Sequence, residues 1–219
     1  MRYDPNQPRD SRGRWTKATG GALGAALVAS FVAFGSSGDV VTSVGAGLDT
    51  ATGADSAAAR TARGKTEAKK GDETQAWQRM SLKEIERVVK QDLRCGVQSY
   101  GQVQQFFLSH PCTDLDQLLF AVSDDNGAVI VGSVVWVKMP SATSAAELKK
   151  VEDSYGSGDV RPFGSEVLGL GGVHFTGQHY RSRLDGSLFV ITETEALRGR
   201  PSDDQLDDVA AVADVLPPP

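Results

Sequence analysis

The sequence predicts an α+β domain over residues 77–219, in which two helices precede two strand–strand–helix units. Two observations lead to this prediction. Short apolar segments occur in pairs separated by glycine-containing turns, and each pair is followed by a stretch with the apolar spacing of a helix. We expect the two units to form one four-stranded antiparallel sheet with the helices packed on one face.

The first predicted helix covers residues 81–93. A capping box opens it, because the Ser81 side chain can accept the backbone N–H of Glu84 while the Glu84 side chain reaches back. Apolar residues then recur at the spacing of one helix face, namely Leu82, Ile85, Val88, Val89 and Leu93. A second helix is predicted over 100–109, and Pro111 stops it.

The first strand–strand–helix unit starts with a hairpin. Its strands are predicted over 118–122 and 128–138, and the turn between them contains Asn126-Gly127, two residues that tolerate positive φ. The helix of this unit is predicted to begin at Ser144, where a second capping box starts, and to end near residue 153.

The second unit repeats the pattern. Strands are predicted over 172–181 and 187–195, around a turn at 184–186. Ser202 is expected to cap a last helix, which the three prolines at 217–219 terminate. The predicted order of elements is therefore helix, helix, strand, strand, helix, strand, strand, helix.

Charge is distributed unevenly along the chain. Residues 1–17 carry five Lys or Arg and two Asp, and residues 36–80 carry six charges of each sign. Residues 81–219 carry twelve basic against twenty acidic side chains. An acidic domain repels phosphate backbones, so the sequence argues against nucleic acid as a partner.

Residues 18–38 carry no charge and are long enough, at about 1.5 Å per residue, to cross a bilayer as a helix. The basic segment 1–17 precedes them, which predicts a cytoplasmic N-terminus and an extracytoplasmic C-terminal domain in the cell membrane. Two alternatives stay open: a cleaved signal peptide, and a soluble, phage-type segment rich in alanine and glycine. Gly20 and Gly24 have the spacing of a close helix–helix contact and are candidates for a homodimer interface.

Residues 39–76 are mostly Ala, Gly, Thr, Ser and balanced charges. Because so few large apolar side chains cannot offset the entropy of ordering the backbone, we expect a flexible linker, with transient helix over 57–70. The expected organisation is a cytoplasmic basic segment (1–17), a transmembrane helix (18–38), the linker (39–76) and the extracytoplasmic domain (77–219).

The two cysteines, Cys95 and Cys112, close the first and second predicted helices. Outside the cytoplasm they would form one disulfide, which encloses about 18 residues and contributes about 3 kcal/mol in the loop-entropy account. Two buried thiols are the alternative in a reducing compartment. His110 lies two residues before Cys112, but neighbours in sequence do not make an activated thiol.

The second hairpin holds the candidates for a ligand surface. These residues are His174, His179, Tyr180, Arg181 and Arg183. A spacing of five places the two histidines on opposite faces of a strand, which disfavours a shared metal ion. The structural alternative is that the aromatic residues belong to the core and the arginines lie at its rim.

No catalytic, cofactor-binding or metal-ligating residues are predicted. The glycine-rich stretch 169–172 precedes a strand, whereas a phosphate-binding loop follows a strand and opens a helix. The acidic turn at 124–127 lacks the ligand spacing of a calcium loop. In the last helix, Asp203 and Asp204 are expected to interact favourably with the positive helix end, and Asp207, Asp208 and Asp214 are interpreted as a solvated face. An enzyme is not excluded, but the sequence favours a protein without catalysis.

Four motifs of the domain can be compared as a set. They are Leu93-Arg94-Cys95, Ser109-His110-Pro111-Cys112, the strand Leu115–Val122 and the strand end Val134–Pro140. In these motifs the chain resembles a group of uncharacterised actinobacterial single-pass membrane proteins, over about residues 81–216. The segments 3–9 and 13–15 also look like the openings of such proteins and of phage-derived ones. The resemblance implies a Gram-positive cell-envelope setting and a cysteine-pair extracytoplasmic domain, and it adds no catalytic residues.

The sequence therefore predicts a membrane-tethered extracytoplasmic binding or interaction module of a bacterial cell envelope. Its partner is expected to be an unidentified envelope protein or ligand, and no cofactor is expected. Two alternatives stay open: an enzyme with an unrecognised site, and a membrane protein derived from a phage or mobile element.

Overall fold

The computed structural model describes residues 56–154, 156–162, 168–169 and 172–219. In this part of the chain the strands are β1 (Lys83–Lys90), β2 (Asp114–Ser123), β3 (Val129–Lys138), β4 (Tyr180–Asp185) and β5 (Leu188–Arg198). The helices are α1 (Ala57–Ala68), α2 (Glu73–Arg79), α3 (Cys95–Gln98), α4 (Gly101–Ser109), α5 (Ala142–Glu152) and α6 (Asp203–Ala213). The fold is of the predicted α+β class, with one more strand than predicted.

All neighbouring strands of the sheet are antiparallel, in the order β1-β2-β3-β5-β4. β2 and β3 pair without interruption over all ten residues of each strand. Asp124 shapes the turn between them, because its Oδ1 accepts the backbone N–H groups of Asn126 at 3.0 Å and Ala128 at 2.8 Å. The predicted hairpin is confirmed, and β2 begins earlier than predicted, at Asp114.

Helices pack on both faces of the sheet, and not on one as predicted. On the first face, which we call the α6 face, α1, α2 and α6 cover strand residues such as Phe120 and Trp136. Trp77 stacks on Phe120 with the ring centroids 5.0 Å apart, and Trp136 Nε1–H donates to the Leu216 carbonyl at 3.1 Å. These contacts bury large aromatic area at the centre of the sheet.

On the opposite face, which we call the α5 face, α4 and α5 place Phe107 and Leu148 against β3 and β5. Further along this face, Val173 packs over Leu119 and Val131. Burial on both sides follows from the central strands, whose apolar residues occupy consecutive positions instead of alternating ones. The prediction of a single covered face is wrong because such strands leave no polar face for solvent.

The helix predicted over 81–93 is wrong, because the chain forms the edge strand β1 there. Val89 of β1 lies opposite Leu118 of β2. Ser81 has a φ of 59°, which is incompatible with the extended backbone of an N-cap residue, so the predicted capping box does not form. Pairing with a buried strand outweighs the helical spacing of the apolar side chains at this edge.

Part of the predicted linker is ordered and packed. α1 and the start of α2 lie within residues 57–76, and α1 contacts both α2 and α6. One side of α1 presents the small residues Thr61, Gly64 and Ala68, all of which are buried. These small side chains allow α1 to pack closely against its neighbouring helices without large apolar residues. The prediction of a flexible linker is therefore wrong over 57–76, and the helix expected to be transient from residue 57 is packed against the domain.

The helices of the two strand–strand–helix units are confirmed with shifted boundaries. Ser141 Oγ accepts the N–H of Ser144 at 3.1 Å, so Ser141 and not Ser144 is the N-cap of α5. Ser202 caps α6, as predicted. The second hairpin begins only at Tyr180, because residues 172–179 do not form a strand.

The transmembrane helix predicted over 18–38, with the candidate dimer contact at Gly20 and Gly24, lies outside the described residues, as does the basic segment 1–17. Among the residues that are described, no helix is long and apolar enough to cross a membrane. The membrane topology therefore stays a prediction from the sequence.

Gly132 in β3 is a position from which a side chain is excluded. A Cβ atom there would lie 2.2 Å from the Phe120 ring, which covers the glycine from the neighbouring strand. We expect Gly132→Ala to lower the free energy of unfolding by about 1–3 kcal/mol, because the ring must shift within a packed core. Gly96→Ala is the control, since its Cβ would meet its nearest neighbour at an ordinary 3.8 Å. Denaturant unfolding compares the two variants, and equal stabilities would contradict the close packing at Gly132.

Candidate functional site

One disulfide joins the two ends of a short pair of helices. Cys95 is the first residue of α3, and Cys112 follows α4, the helix predicted over 100–109. The Cα atoms of the two cysteines are 6.3 Å apart, and the bridge confirms the predicted pairing. We call residues 95–112 the disulfide hairpin.

A hollow of about 360 Å³ opens at the base of the disulfide hairpin, between the β1–α3 and α4–β2 connections. Leu93, Phe107, Pro111 and the disulfide form its apolar part. Phe107 and Cys95 are each only 4% exposed, so the core holds this part in place. The volume lies in the range of small-molecule sites. We call this feature the disulfide hollow.

Both walls of the disulfide hollow are fastened to the sheet. The Leu93 N–H donates to the Leu115 carbonyl at 2.9 Å, and the Thr113 N–H donates to the Lys138 carbonyl at 2.7 Å. These bonds form the hollow without a ligand. A preformed site loses less entropy when a ligand binds.

Three charged side chains stand at the rim of the hollow, those of Asp92, Arg94 and Asp114. Asp92 and Arg94 are exposed, and Asp114 is half-buried. Within the described part of the chain, none of the three side chains forms a hydrogen bond or an ion pair. Their charges are therefore available to a ligand.

A fourth charged residue, Asp116, contacts the Asp92 backbone and is 6% exposed. Its Oδ1 accepts the backbone N–H of Asp92 at 3.2 Å. This bond supports Asp92 at a φ of 54°, a left-handed conformation that aspartate tolerates better than most residues. Burial raises the pKa of the Asp116 carboxyl, the charges of Asp114 and Asp92 add to this increase, and the hydrogen bond from Asp92 opposes it.

The predicted ligand surface on the second hairpin is divided between the two faces of the sheet. His174 is exposed ahead of β4, whereas His179 and Tyr180 are buried. Tyr180 faces α5, and Arg181 and Arg183 face α6, because successive residues of a strand point to opposite sides. The five residues do not form one surface, and a ligand-binding role for any of them stays a prediction.

Aspartates of α6 hold the second hairpin in place. His179 Nδ1 is 2.9 Å from Asp207 Oδ1, and His179 Nε2 is 3.8 Å from Asp203 Oδ1. Arg183 donates to the Asp214 carbonyl at 2.9 Å. Burial raises the pKa of the Asp214 carboxyl, and the Arg183 charge opposes this effect. The interpretation of these aspartates as a solvated face is therefore wrong for Asp207 and Asp214.

A serine–lysine pair on the α5 face has the composition of a catalytic dyad but not its chemistry. The Lys149 ammonium contacts the Ser182 hydroxyl, which donates to Asp153 Oδ1 at 2.8 Å. Lys149 is also ion-paired with Asp153, and the Tyr180 hydroxyl donates to the same carboxylate at 2.8 Å. An ammonium group held by a carboxylate cannot take the serine proton, so we interpret the network as a structural link between α5 and β4.

The Ser109 and His110 side chains are also adjacent, with Oγ 3.0 Å from Nδ1. The serine hydroxyl lies 3.0 Å from the Phe106 carbonyl, to which it can donate, and the imidazole stacks on the Phe106 ring with centroids 4.7 Å apart. In the described part of the chain no carboxylate orients this imidazole. The pair lacks the third member that activates a serine nucleophile.

Two buried glutamates, Glu152 and Glu193, are absent from the sequence-based candidates although they are 1% and 6% exposed. They lie near Tyr100: burial raises the pKa of its phenol, and the charges of Asp159, Glu152 and Glu193 add to this increase. The sequence does contain a signal for the burial of Glu193, because this charged residue lies within a strand that otherwise contributes to the core. Glu152 ends a helix with lysines nearby, so its sequence context indicates an exposed position instead.

The disulfide hollow is not predicted from the sequence, because the helix expected over 81–93 would place Asp92 and Arg94 at a helix end and away from β2. One sequence signal for it does exist. Three charged residues, Asp92, Arg94 and Asp114, lie within three positions of a cysteine.

No group of three or more His, Cys, Asp or Glu side chains among the described residues is arranged to hold a metal ion. No family model, curated protein or solved structure matches the chain. Its function is therefore inferred from its own residues.

Loss of the disulfide should weaken the whole domain. We expect the double variant Cys95→Ser/Cys112→Ser to lose roughly 2–5 kcal/mol of unfolding free energy, because the unfolded chain is no longer cross-linked. Thermal unfolding of the oxidised protein and the variant measures the loss. Reductant should destabilise the wild type by a similar amount and leave the variant unchanged; a variant as stable as the oxidised wild type would refute the role of the bridge.

The raised pKa of Asp116 predicts a pH-dependent difference in stability. When the pKa of a carboxyl is higher in the folded protein than in the unfolded chain, its ionisation favours the unfolded chain. This destabilisation grows as the pH rises from the unfolded pKa to the folded pKa, and it is constant at higher pH. We expect Asp116→Asn, which keeps an acceptor for the Asp92 N–H, to gain stability relative to the wild type as the pH rises from about 4 toward 7. Thermal unfolding across this range measures the gain. A stability difference that does not change with pH would contradict it.

Proposed function

We propose that the chain is a membrane-tethered binding module that works outside the cytoplasm and holds its ligand in the disulfide hollow. The observation that carries this proposal is the Cys95–Cys112 bridge. Disulfides persist in secreted and envelope proteins and are rare in cytosolic ones. Because the bridge also forms part of a preformed hollow, it supports both the compartment and the place of binding.

The N-terminal residues supply the tether in this proposal. Residues 18–38 carry no charge and follow a basic segment, which favours an N-terminus in the cytoplasm and the domain outside. Residues 39–56 would connect this segment to α1, whose first residue is Ala57. A domain attached in this way would meet ligands close to the membrane.

The lining of the disulfide hollow favours binding over catalysis. Cys95 and Cys112 are joined to each other, so neither supplies the thiolate that acts as a nucleophile. The Thr113 hydroxyl donates to the Lys138 carbonyl at 3.0 Å, so its proton is engaged by the backbone. Apolar groups with a few charged ones at the rim are the composition of a recognition site.

Cysteine labelling on intact cells tests the compartment. Cells that express the full chain are treated with a membrane-impermeant maleimide, with and without prior reduction. We expect Cys95 and Cys112 to be labelled only after reduction, because the bridge is formed and lies outside the membrane.

Two added cysteines, each in the chain with its native bridge, calibrate this measurement. Asp125→Cys, in the exposed turn between β2 and β3, should be labelled on intact cells without reduction. Ser11→Cys, in the basic segment, should be labelled only after lysis. Labelling of Asp125→Cys only after lysis, together with free native thiols in the lysate, would sink the proposal.

A further inference from the structure

We propose that the disulfide hollow binds a primary ammonium group attached to a short apolar chain. This inference rests on the proposed binding role of the hollow and adds the chemical class of its ligand. A small aliphatic amine such as butylamine belongs to this class.

The rim of the hollow carries more negative than positive charge. Asp92 and Asp114 supply two carboxylates, and Arg94 supplies one guanidinium group. No hydrogen bond or ion pair with the rest of the described chain engages these side chains, so a cation does not have to displace an internal partner. The nearby Asp116 adds to the negative potential whenever it is ionised. This balance attracts an ammonium ion and repels a carboxylate.

The inner part of the hollow selects what is attached to the ammonium group. Leu93, Pro111 and Cys112 offer apolar surface directly beside the charged rim, and the buried Phe107 and Cys95 lie beneath them. An alkyl chain laid on this surface leaves water, which adds a favourable term that a bare cation lacks. The volume of about 360 Å³ is enough for a chain of a few carbon atoms. A ligand therefore needs both parts, a positive end and an apolar neighbour.

Nitrogen-15 NMR of the full-length oxidised protein in a nonionic detergent tests the ligand class with three probes. The probes are n-butylamine, 1-butanol and butyrate, which have chains of four carbon atoms and differ in charge. We expect butylammonium to shift the backbone amide signals of Leu93, Gly96 and Thr113 in a saturable way. Butanol should bind at least about fivefold more weakly, and butyrate should not shift these signals.

Variants of the rim identify the charges that matter. Asp92→Asn and Asp114→Asn should each weaken butylammonium binding about two- to fivefold, the range of a partly exposed ion pair. Salt at about 0.5 M should weaken butylammonium binding and leave butanol binding unchanged. Asp125→Asn, in the exposed β2–β3 turn, is the matched control and should bind like the wild type.

Two kinds of failure can be told apart. Equal binding of the three probes in the hollow, or preference for butyrate, would overturn the ligand class and leave the hollow as a binding site. Absence of any saturable shift at the hollow would overturn its role as a binding site as well. Cysteine labelling decides the compartment independently of either result.

Discussion

The pairing of β2 with β3 is the constraint on which the rest of the domain depends. The two strands are buried along almost their whole length, because helices and a covering segment lie on both faces. A strand in this position cannot slip by one residue, since every side chain of one layer would move into the other. The pair therefore sets where α5 and α6 pack. It also fixes the start of β2, from which the wall of the disulfide hollow extends.

Sequence patterns predict those parts of the domain whose signals are local. The turn at Asn126-Gly127 and the cap at Ser202 each depend on neighbouring residues, and both occur where they are expected. β1 is the opposite case. Val88 and Val89 fit one face of a helix as well as they fit a strand, and the pairing with β2, which is distant in sequence, decides between the two. Non-local packing also explains α1, which contacts α2 and α6 although its segment has a helix-compatible but polar composition.

The candidate site is predictable to a smaller degree. The cysteine pair follows from the sequence, because a chain with two cysteines in an oxidising compartment has a single intramolecular pairing. The hollow beside it does not, because Asp92 and Asp114 become neighbours only after β1 has paired with β2. The ligand surface predicted around the second hairpin fails for the opposite reason, because residues that are adjacent in sequence are separated in the structure. Tyr180 and Arg181 are adjacent in sequence, and strand geometry places them on opposite faces of the sheet.

The order of the strands divides the sheet into two groups, β1–β2–β3 from residues 83–138 and β4–β5 from residues 180–198. Pairings within each group close shorter loops, whereas the β3–β5 pairing closes a longer one at a greater cost in chain entropy. The disulfide hollow is built from residues 92–114, entirely within the first group. Phe107 of the hollow nevertheless belongs to the same core cluster as Phe189 of β5, so substitutions in the second group can reach the hollow through this shared core. The shape of the hollow therefore depends on both groups of strands, although all of its lining residues lie between the end of β1 and the start of β2.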